Sequence, residues 1–267
     1  MTDSYLEKIL ATNILREKML ASAVSALNLP TGSRGLDAGC GAGLQCLLLA
    51  DATGPNGHVT GLDISADFLA YGREIAKQAE LANRISFVEG NAAALPFEDN
   101  SLDWVWSADC IGYGPWDPMP MLEECKRVIK PGGTLALLAW SSEHLLPGYP
   151  ALEARLRATT PGLAPFEQGM GPTRHFLRTL GRLRQLGCED CNSAVFADSV
   201  QAPLSKEELR AMTLLFDMRW PGVTEELSQG DAAEFERLCL PASPDFVLTQ
   251  PDYYAFFTCS MFWGTVR

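Results

Sequence analysis

GLDAGCGAG, residues 35–43, decides the fold of this chain. An apolar run enters the stretch and a helix-forming run, LQCLLLADA from Leu44, leaves it, so three alternate glycines stand between a strand and a helix. Gly39, Gly41 and Gly43 lack a Cβ, and the backbone there can take left-handed angles and approach a ligand closely. The first N–H groups of the following helix have no partner within it and can meet polar or anionic ligand atoms. That is the geometry of a nucleotide-binding turn. Its spacing departs from the dinucleotide fingerprint G-x-G-x-x-G, because the third glycine comes one residue early and Leu44 takes the last position. A pyrophosphate is therefore disfavoured.

Outward from this turn the chain alternates strand and helix. SRGLDAG is followed by the helix from Leu44, then HVTGLDIS, a helix from Ser65 through Ala79, RISFVEGNA, the loop LPFEDNSL and the strand DWVWSAD. A helix around Met121 to Val128 and the strand TLALLAW after Pro131-Gly132-Gly133 complete the series. Such alternation predicts a parallel sheet with crossover helices. Residues 141–173 are rich in proline and glycine and read as an insertion over the carboxyl edge of the sheet, ahead of a helix from His175 to Leu186. NSAVFADSV and YYAFFTCSMFWGTV supply a sixth and a seventh strand, and SKEELRAMTLLFDMRW with DAAEFERLCL makes a second, helical insertion at about 203–250. The last strand has no crossover helix after it and is expected antiparallel to its neighbour. The expectation is a Rossmann-like α/β fold: a seven-stranded, mostly parallel sheet with an antiparallel last strand, helices on both faces and a helical cap. Residues 1–30 read as amphipathic helices forming an N-terminal lid that closes over a bound cofactor, and 31–267 as one domain carrying both cap insertions.

Composition narrows the function classes. The chain has 267 residues, 47% hydrophobic and 20% charged, the profile of a globular protein with a sizeable core. A net charge of −12 repels phosphate backbones, so nucleic acid is not an expected partner. No apolar run reaches membrane-spanning length and the N-terminus lacks a signal core, so a cytoplasmic protein without membrane insertion, monomeric or homodimeric, is expected. The eight cysteines are scattered singly and read as reduced, buried small residues. Cys188 and Cys191 have metal-ligand spacing, but nothing completes four ligands, and no metal is expected.

In an open parallel sheet the ligand crevice lies beyond the carboxyl ends of the strands, at the switch in strand order. The first strand ends in Asp37 and the glycine turn; the second ends in Asp63, whose carboxylate can accept two hydrogen bonds from a ribose diol. The third ends in Asn91-Ala92, where the Asn91 oxygen can accept from an adenine amine while Ile64 packs on the ring. Ser107-Ala108-Asp109 ends the fourth, within reach of the other end of a ligand.

LDAGCGAG, GLDIS with Asp63, GNAAALPFEDNSLD and RVIKPGGTLAL, in this order over about Gly35 to Trp140, resemble the class I S-adenosylmethionine-dependent methyltransferases, in particular the group that includes the ubiquinone and menaquinone C-methyltransferases. The resemblance implies an adenosylmethionine pocket in which Gly39, Cys40 and Gly41 meet the methionine portion by backbone, Asp63 holds the ribose, and Asn91 and Ala92 recognise adenine. That family usually has Asp at the position of Asn91; asparagine keeps an acceptor oxygen. The resemblance fades after Trp140, where such enzymes choose their acceptor, so the implied reaction is methyl transfer to a small molecule through an oxygen, nitrogen or carbon nucleophile.

A sulfonium methyl is already activated, and the enzyme has mainly to align a nucleophile and exclude water. Few catalytic side chains are needed. Candidates come from the loops over the crevice: Asp109, Tyr113 and Trp116 after the fourth strand, His144 and Tyr149 after the fifth. His144 is the first choice for a general base, since imidazole titrates near neutrality; a solvated loop histidine is the plainer alternative. Two other classes stand against an enzyme of this kind. A nicotinamide-dependent dehydrogenase predicts the third glycine one place later and a Tyr-x-x-x-Lys set, both missing; a non-catalytic cofactor-binding module would keep the same motifs.

Overall fold

The computed structural model describes residues 2–267. In chain order the elements are α1 (Thr2–Thr12), α2 (Glu17–Ala26), β1 (Arg34–Ala38), α3 (Leu44–Thr53), β2 (His58–Asp63), α4 (Ala66–Gln78), β3 (Ile85–Glu89), β4 (Leu102–Ala108), α5 (Met119–Val128), β5 (Ile129–His144), α6 (Pro150–Arg157), α7 (Thr160–Leu163), α8 (Thr179–Gln185), β6 (Glu189–Gln201), α9 (Lys206–Arg219), α10 (Gln229–Cys239) and β7 (Tyr254–Thr265). The seven strands form one sheet in the order β3-β2-β1-β4-β5-β7-β6. β3, β2, β1, β4 and β5 run parallel, so the expected alternation is what the chain builds. Gly132 N donates to Val266 O at 2.7 Å and Val266 N to Gly133 O at 2.8 Å, which sets the end of β7 against the start of β5, antiparallel as expected. Strand order reverses between β1 and β4, and the glycine turn leaves the carboxyl end of β1 at that switch.

The chain divides into two compact units. One contains Leu20–Trp140, Gly171–Phe196 and Cys259–Arg267; the other contains residues 2–19, Ser141–Met170 and Ala197–Thr258.

In the first unit, β1 is buried at every position after Arg34, the mark of a central parallel strand covered on both faces. Gly35 is glycine for packing: a Cβ there would fall 2.0 Å from the ring of Trp104 in β4. Trp104 is almost wholly buried, and its indole N–H is satisfied by Ser33 Oγ at 2.9 Å. Ser65 caps α4 by accepting from Phe68 N. β5 is longer than TLALLAW at both ends, taking in Pro131-Gly132-Gly133 before it and Ser141 to His144 after it. The extra residues at its start are absorbed as a bulge, the pairing with β4 jumping from Leu102↔Ile129 to Trp104↔Thr134.

The continuous helix expected from His175 to Leu186 is broken into a 3-10 turn, Phe176–Arg178, and α8. Side chains capture the carbonyls a helix would use: Thr179 Oγ1 donates to Phe176 O, and the buried Arg182 donates to Thr173 O and His175 O. Cys188 and Cys191 pack against Gly264, where a Cβ would lie 3.0 Å from Cys191 Sγ.

The second unit is helical apart from the strand ends it holds. Ser205 and Glu208 form a reciprocal capping box at the start of α9. Lys8 and Glu7 of α1 pair with Asp217 and Arg210 of α9. Phe216, Trp220 and Phe235 stack ring to ring at 5.4 and 5.9 Å, joining α9 to α10.

Gly35→Ala drives a methyl group into the Trp104 ring and is expected to cost about 2 kcal/mol, the scale of overpacking in a full core. Urea unfolding of the variant and the parent measures it; equal midpoints would remove the Gly35–Trp104 contact from the account of β1.

Candidate active site

The glycine turn is fastened before any ligand arrives. Gly39 N and Cys40 N both donate to Leu62 O, at 2.8 and 3.0 Å, which hooks the turn to the end of β2. Gly39, Gly41 and Gly43 have φ of +77°, +52° and +76°, the left-handed region that glycine enters without penalty. Their surroundings separate them. A Cβ on Gly39 would lie 2.3 Å from Cys110 Sγ, and one on Gly43 would lie 2.7 Å from the Phe87 ring; on Gly41 it would meet nothing within 4 Å. Gly39 and Gly43 are small so that the turn can pack, whereas Gly41 faces open space.

Asp63 sits directly beside that space. Its Oδ2 accepts from Gly41 N and its Oδ1 from Ser65 N, both at 2.9 Å. Each carboxylate oxygen has a second lone pair, so the group ties the turn to the start of α4 and keeps acceptor capacity for a diol. Ile64 beside it is 76% exposed, an apolar side chain left without cover. Asn91 and Ala92 follow β3, and Gly90 N donates to Asp63 O at 3.0 Å, which holds this third strand end against the second. The Asn91 oxygen accepts from Ala93 N at 2.9 Å, closing a turn, while Ala92 is buried.

Asp37 lies beneath the turn, 1% exposed, and accepts from the Cys46 thiol at 3.3 Å. Burial pushes its pKa up from 3.8 to about 7; the Cys46 hydrogen bond opposes the rise and the Asp63 charge adds to it. Burial likewise lifts the Cys110 thiol to about 11, so it stays protonated at neutral pH.

Two expected site residues have positioning roles. Ser107 is buried, and its hydroxyl donates to Ala38 O at 2.7 Å and accepts from Ile111 N at 3.2 Å, joining β1 to the loop after β4. Both bonds are internal to the protein, and the side chain is 1% exposed. Asp109 has φ of +51°; its N donates to Leu138 O and its Oδ1 accepts from Trp140 N at 2.8 Å, so it ties the ends of β4 and β5 together. Tyr113 is half-buried, with its ring edge-on to Phe176 at 6.3 Å.

His144 belongs to the other unit. Its Nδ1 lies 3.3 Å from Oε2 of Glu153, a buried carboxylate that also accepts from Leu145 N at 2.7 Å. The ring rests 4.9 Å from that of Phe256. Glu153 escaped notice in the sequence, although its place one turn into a helix begun by Pro150 was visible; nothing local linked it to a histidine nine residues earlier. Cys110 escaped too, since only the fold brings it against Gly39. Among the described residues no group of three or more His, Cys, Asp or Glu side chains is placed to hold a metal ion.

A methyltransferase domain family matches residues 36–133, which include the turn, Asp63, Asn91 and Asp109. The chain is 40% identical over 139 residues to a demethylmenaquinone methyltransferase of Listeria welshimeri, covering 51% of this chain and 56% of that protein. It is 38% identical over 133 residues to the enzyme of that name from a Geobacillus species, covering 48% and 54%. The match thus spans about half the length of these relatives. Among solved structures, the YcgJ protein of Bacillus subtilis superposes with a TM-score of 0.55 at 16% identity, over 94% of this chain and 99% of that one. Geranyl diphosphate C-methyltransferase of Streptomyces coelicolor gives 0.51 at 16% identity, over 94% and 79%. Both likenesses are of fold.

Asp37 makes the site's stability depend on pH in a definite direction. Its folded pKa is raised, so the unfolded chain releases this proton first as pH increases, and folding loses stability from about pH 4 until the folded group titrates near 7. Asp37→Asn keeps the shape and carries no titrating proton. Denaturant unfolding is expected to show the variant gaining on the parent between those limits and holding a constant difference above them; parallel pH curves would place the Asp37 pKa at its ordinary value.

Proposed function

We propose that this chain, whose residues 36–133 match a methyltransferase domain family, is a class I S-adenosylmethionine-dependent methyltransferase that binds adenosylmethionine at the glycine turn and transfers its methyl group to a small-molecule acceptor. The observation that carries this is the pairing of Gly41 with Asp63: a glycine open to space, its N–H held by a carboxylate that retains acceptor capacity. An uncharged backbone surface beside one carboxylate suits a nucleoside with a free ribose diol. It does not suit a pyrophosphate, which the nearby negative charge of Asp63 would repel.

The residues present fit the cofactor in kind. Gly41 leaves the room a Cβ would fill, Asp63 accepts from the ribose, Ile64 offers its exposed apolar side chain to a base, and Asn91 keeps one oxygen lone pair and its amide N–H groups for the base edge. Asp37, Gly39, Cys40, Gly43 and Ala92 shape the cradle from beneath and beside it. Bound adenosylmethionine supplies a methyl group already activated on a sulfonium sulfur, so the chain's own work is to bind, orient and exclude water. Asp109 serves by fixing the β4 and β5 ends, and Tyr113 by standing on Phe176 in the loop that follows β4.

The acceptor's proton falls to His144 in this proposal. A base needs an orienting partner, and Glu153 provides one: it holds Nδ1 and leaves Nε2 for the acceptor, the base-and-orienter pattern of proton-transfer sites. The acceptor itself is not carried over from the relatives named for demethylmenaquinone. The family match ends at residue 133, before the segment from Ser141 that holds His144.

Calorimetric titration with adenosylmethionine, its demethylated product and NAD tests the cofactor. The first two are expected to bind; binding of NAD alone would overturn the proposal. Asp63→Ala is expected to weaken adenosylmethionine binding by more than about 1 kcal/mol, the loss of charge-assisted hydrogen bonds.

His144→Gln is expected to leave that affinity unchanged and to slow turnover by at least about a hundredfold, as for loss of a general base. Reduced demethylmenaquinone is the first acceptor to assay, since the relatives are named for it. Cofactor binding with no methyl transfer to this or any other acceptor in a broad screen would favour a non-catalytic binding module.

A further inference from the structure

The chain carries a net charge of −12, yet from Gln168 to Cys188 it has no acid and four arginines, Arg174, Arg178, Arg182 and Arg184. Arg182 is buried and holds backbone carbonyls. The other three are exposed, and among the described residues none lies within ion-pairing distance of a carboxylate. Over the 3-10 turn and α8 the exposed positions Leu177, Arg178, Gly181 and Arg184 recur at helical spacing, giving one outward stripe. Arg174 reaches the loop after β4 by donating to Pro115 O at 3.5 Å, beside Trp116.

Trp116 is 52% exposed and Leu177 is 48% exposed, two large apolar side chains with no cover. The indole lies over Gly114, where a Cβ would fall 2.5 Å from the ring, so the loop gives it a flat backbone seat and leaves its other side outward. Asp117, next to Trp116, accepts from Met119 N through Oδ1, and Asp190 lies near Arg184 about Cys191, neither paired with an arginine of the stripe among the described residues. The surface therefore combines three arginines that make no ion pair among the described residues with an exposed tryptophan and leucine, on a protein whose charge is otherwise strongly negative. Cations alone would suit any polyanion. A tryptophan and a leucine among them match the headgroup level of a bilayer, where an indole finds apolar and polar surroundings together.

We propose that Trp116 and Leu177, flanked by Arg174, Arg178 and Arg184, dock this protein on the anionic surface of a lipid bilayer. The chain then lies on the membrane and does not cross it: among the described residues no helix is long and apolar enough to span one. The docking face stands independently of the methyl-transfer proposal.

Co-sedimentation of the full chain with vesicles of equimolar phosphatidylcholine and phosphatidylglycerol, and with vesicles of phosphatidylcholine alone, tests it without any activity readout. Binding is expected to the anionic vesicles only and to fall as salt is raised. Arg174→Glu with Arg178→Glu is expected to lower partitioning by at least about tenfold, and Trp116→Ser with Leu177→Ser to lower it as well. The same charge reversal at Arg73 and Lys77, exposed on α4, is expected to leave binding unchanged. All the substituted side chains are exposed, and far-ultraviolet circular dichroism matching the parent confirms the fold of each variant. No sedimentation with anionic vesicles, equal binding to both vesicle types, or loss of binding on the α4 reversal would each overturn the proposal. Retention of the same strength by double-stranded DNA, abolished by the Arg174 and Arg178 reversal and indifferent to Trp116, would assign the stripe to polyanions in general and overturn it too.

Discussion

The Asp63 carboxylate between two backbone N–H groups is the contact on which the site depends. One oxygen takes Gly41 N and the other takes Ser65 N, so a single side chain fixes the glycine turn against the end of β2 and the entry to α4. Leu62 O, one residue earlier, receives Gly39 N and Cys40 N. These bonds make the turn a preformed surface, since its backbone donors are satisfied within the protein before a ligand reaches it. Burying Asp37 beneath the turn has a cost, because a carboxylate there loses its hydration, and the nearby Asp63 charge adds to it. The chain answers it with a thiol donor from Cys46 and a proton that Asp37 holds up to about pH 7.

The loop after β4 obeys a related constraint. β1 and β4 part company at the strand-order switch, and what keeps their ends in register is a set of small polar side chains. Ser107 reaches Ala38 O, Asp109 takes Trp140 N, and Cys110 fills the space that the absent Cβ of Gly39 leaves. Residues that look like ligands in the sequence thus hold the frame around a space that the ligand enters. Hydrogen bonds to backbone serve this purpose better than apolar contacts do, because they fix direction as well as distance.

How much was legible in the sequence follows from which forces are local. The parallel strands and their crossovers were readable because hydrophobic periodicity and the glycine turn are written in short windows, and the antiparallel last strand followed from the absence of a crossover. Asp63 and Asn91 stood out as candidates because they end strands beside a switch point, where ligands bind in open parallel sheets. The distinction among Gly39, Gly41 and Gly43 was not readable, since Cys110 and Phe87 come to the turn from 71 and 44 residues away in the chain. The partners of Ser107 and Asp109 were not readable either, since Ala38 and Trp140 are distant in sequence. The 3-10 break before α8 was hidden because Arg182 takes its carbonyls from the side, which leaves the helical pattern of the sequence intact.

The segment from Glu143 to Leu145 shows where local reasoning stops altogether. It emerges from β5 into a proline- and glycine-rich stretch and carries no motif, yet each of its residues is held. Glu143, buried, pairs with Arg219 of α9 at 2.6 Å; His144 meets Glu153 of α6; Leu145 offers its N–H to Glu153 and its carbonyl to the Tyr253 hydroxyl at 3.1 Å. Arg219 also donates to Ala164 O, so the pair is part of a network that reaches the start of the next loop. A buried carboxylate needs a cation that is itself held, and the second bond of Arg219, to Ala164 O, fixes the geometry of the pair. Polar pairs of this kind leave only isolated charged letters 76 residues apart, with no period and no spacing rule. Loops of this kind are therefore legible only in the folded structure, whereas the glycine turn is legible in a nine-residue window.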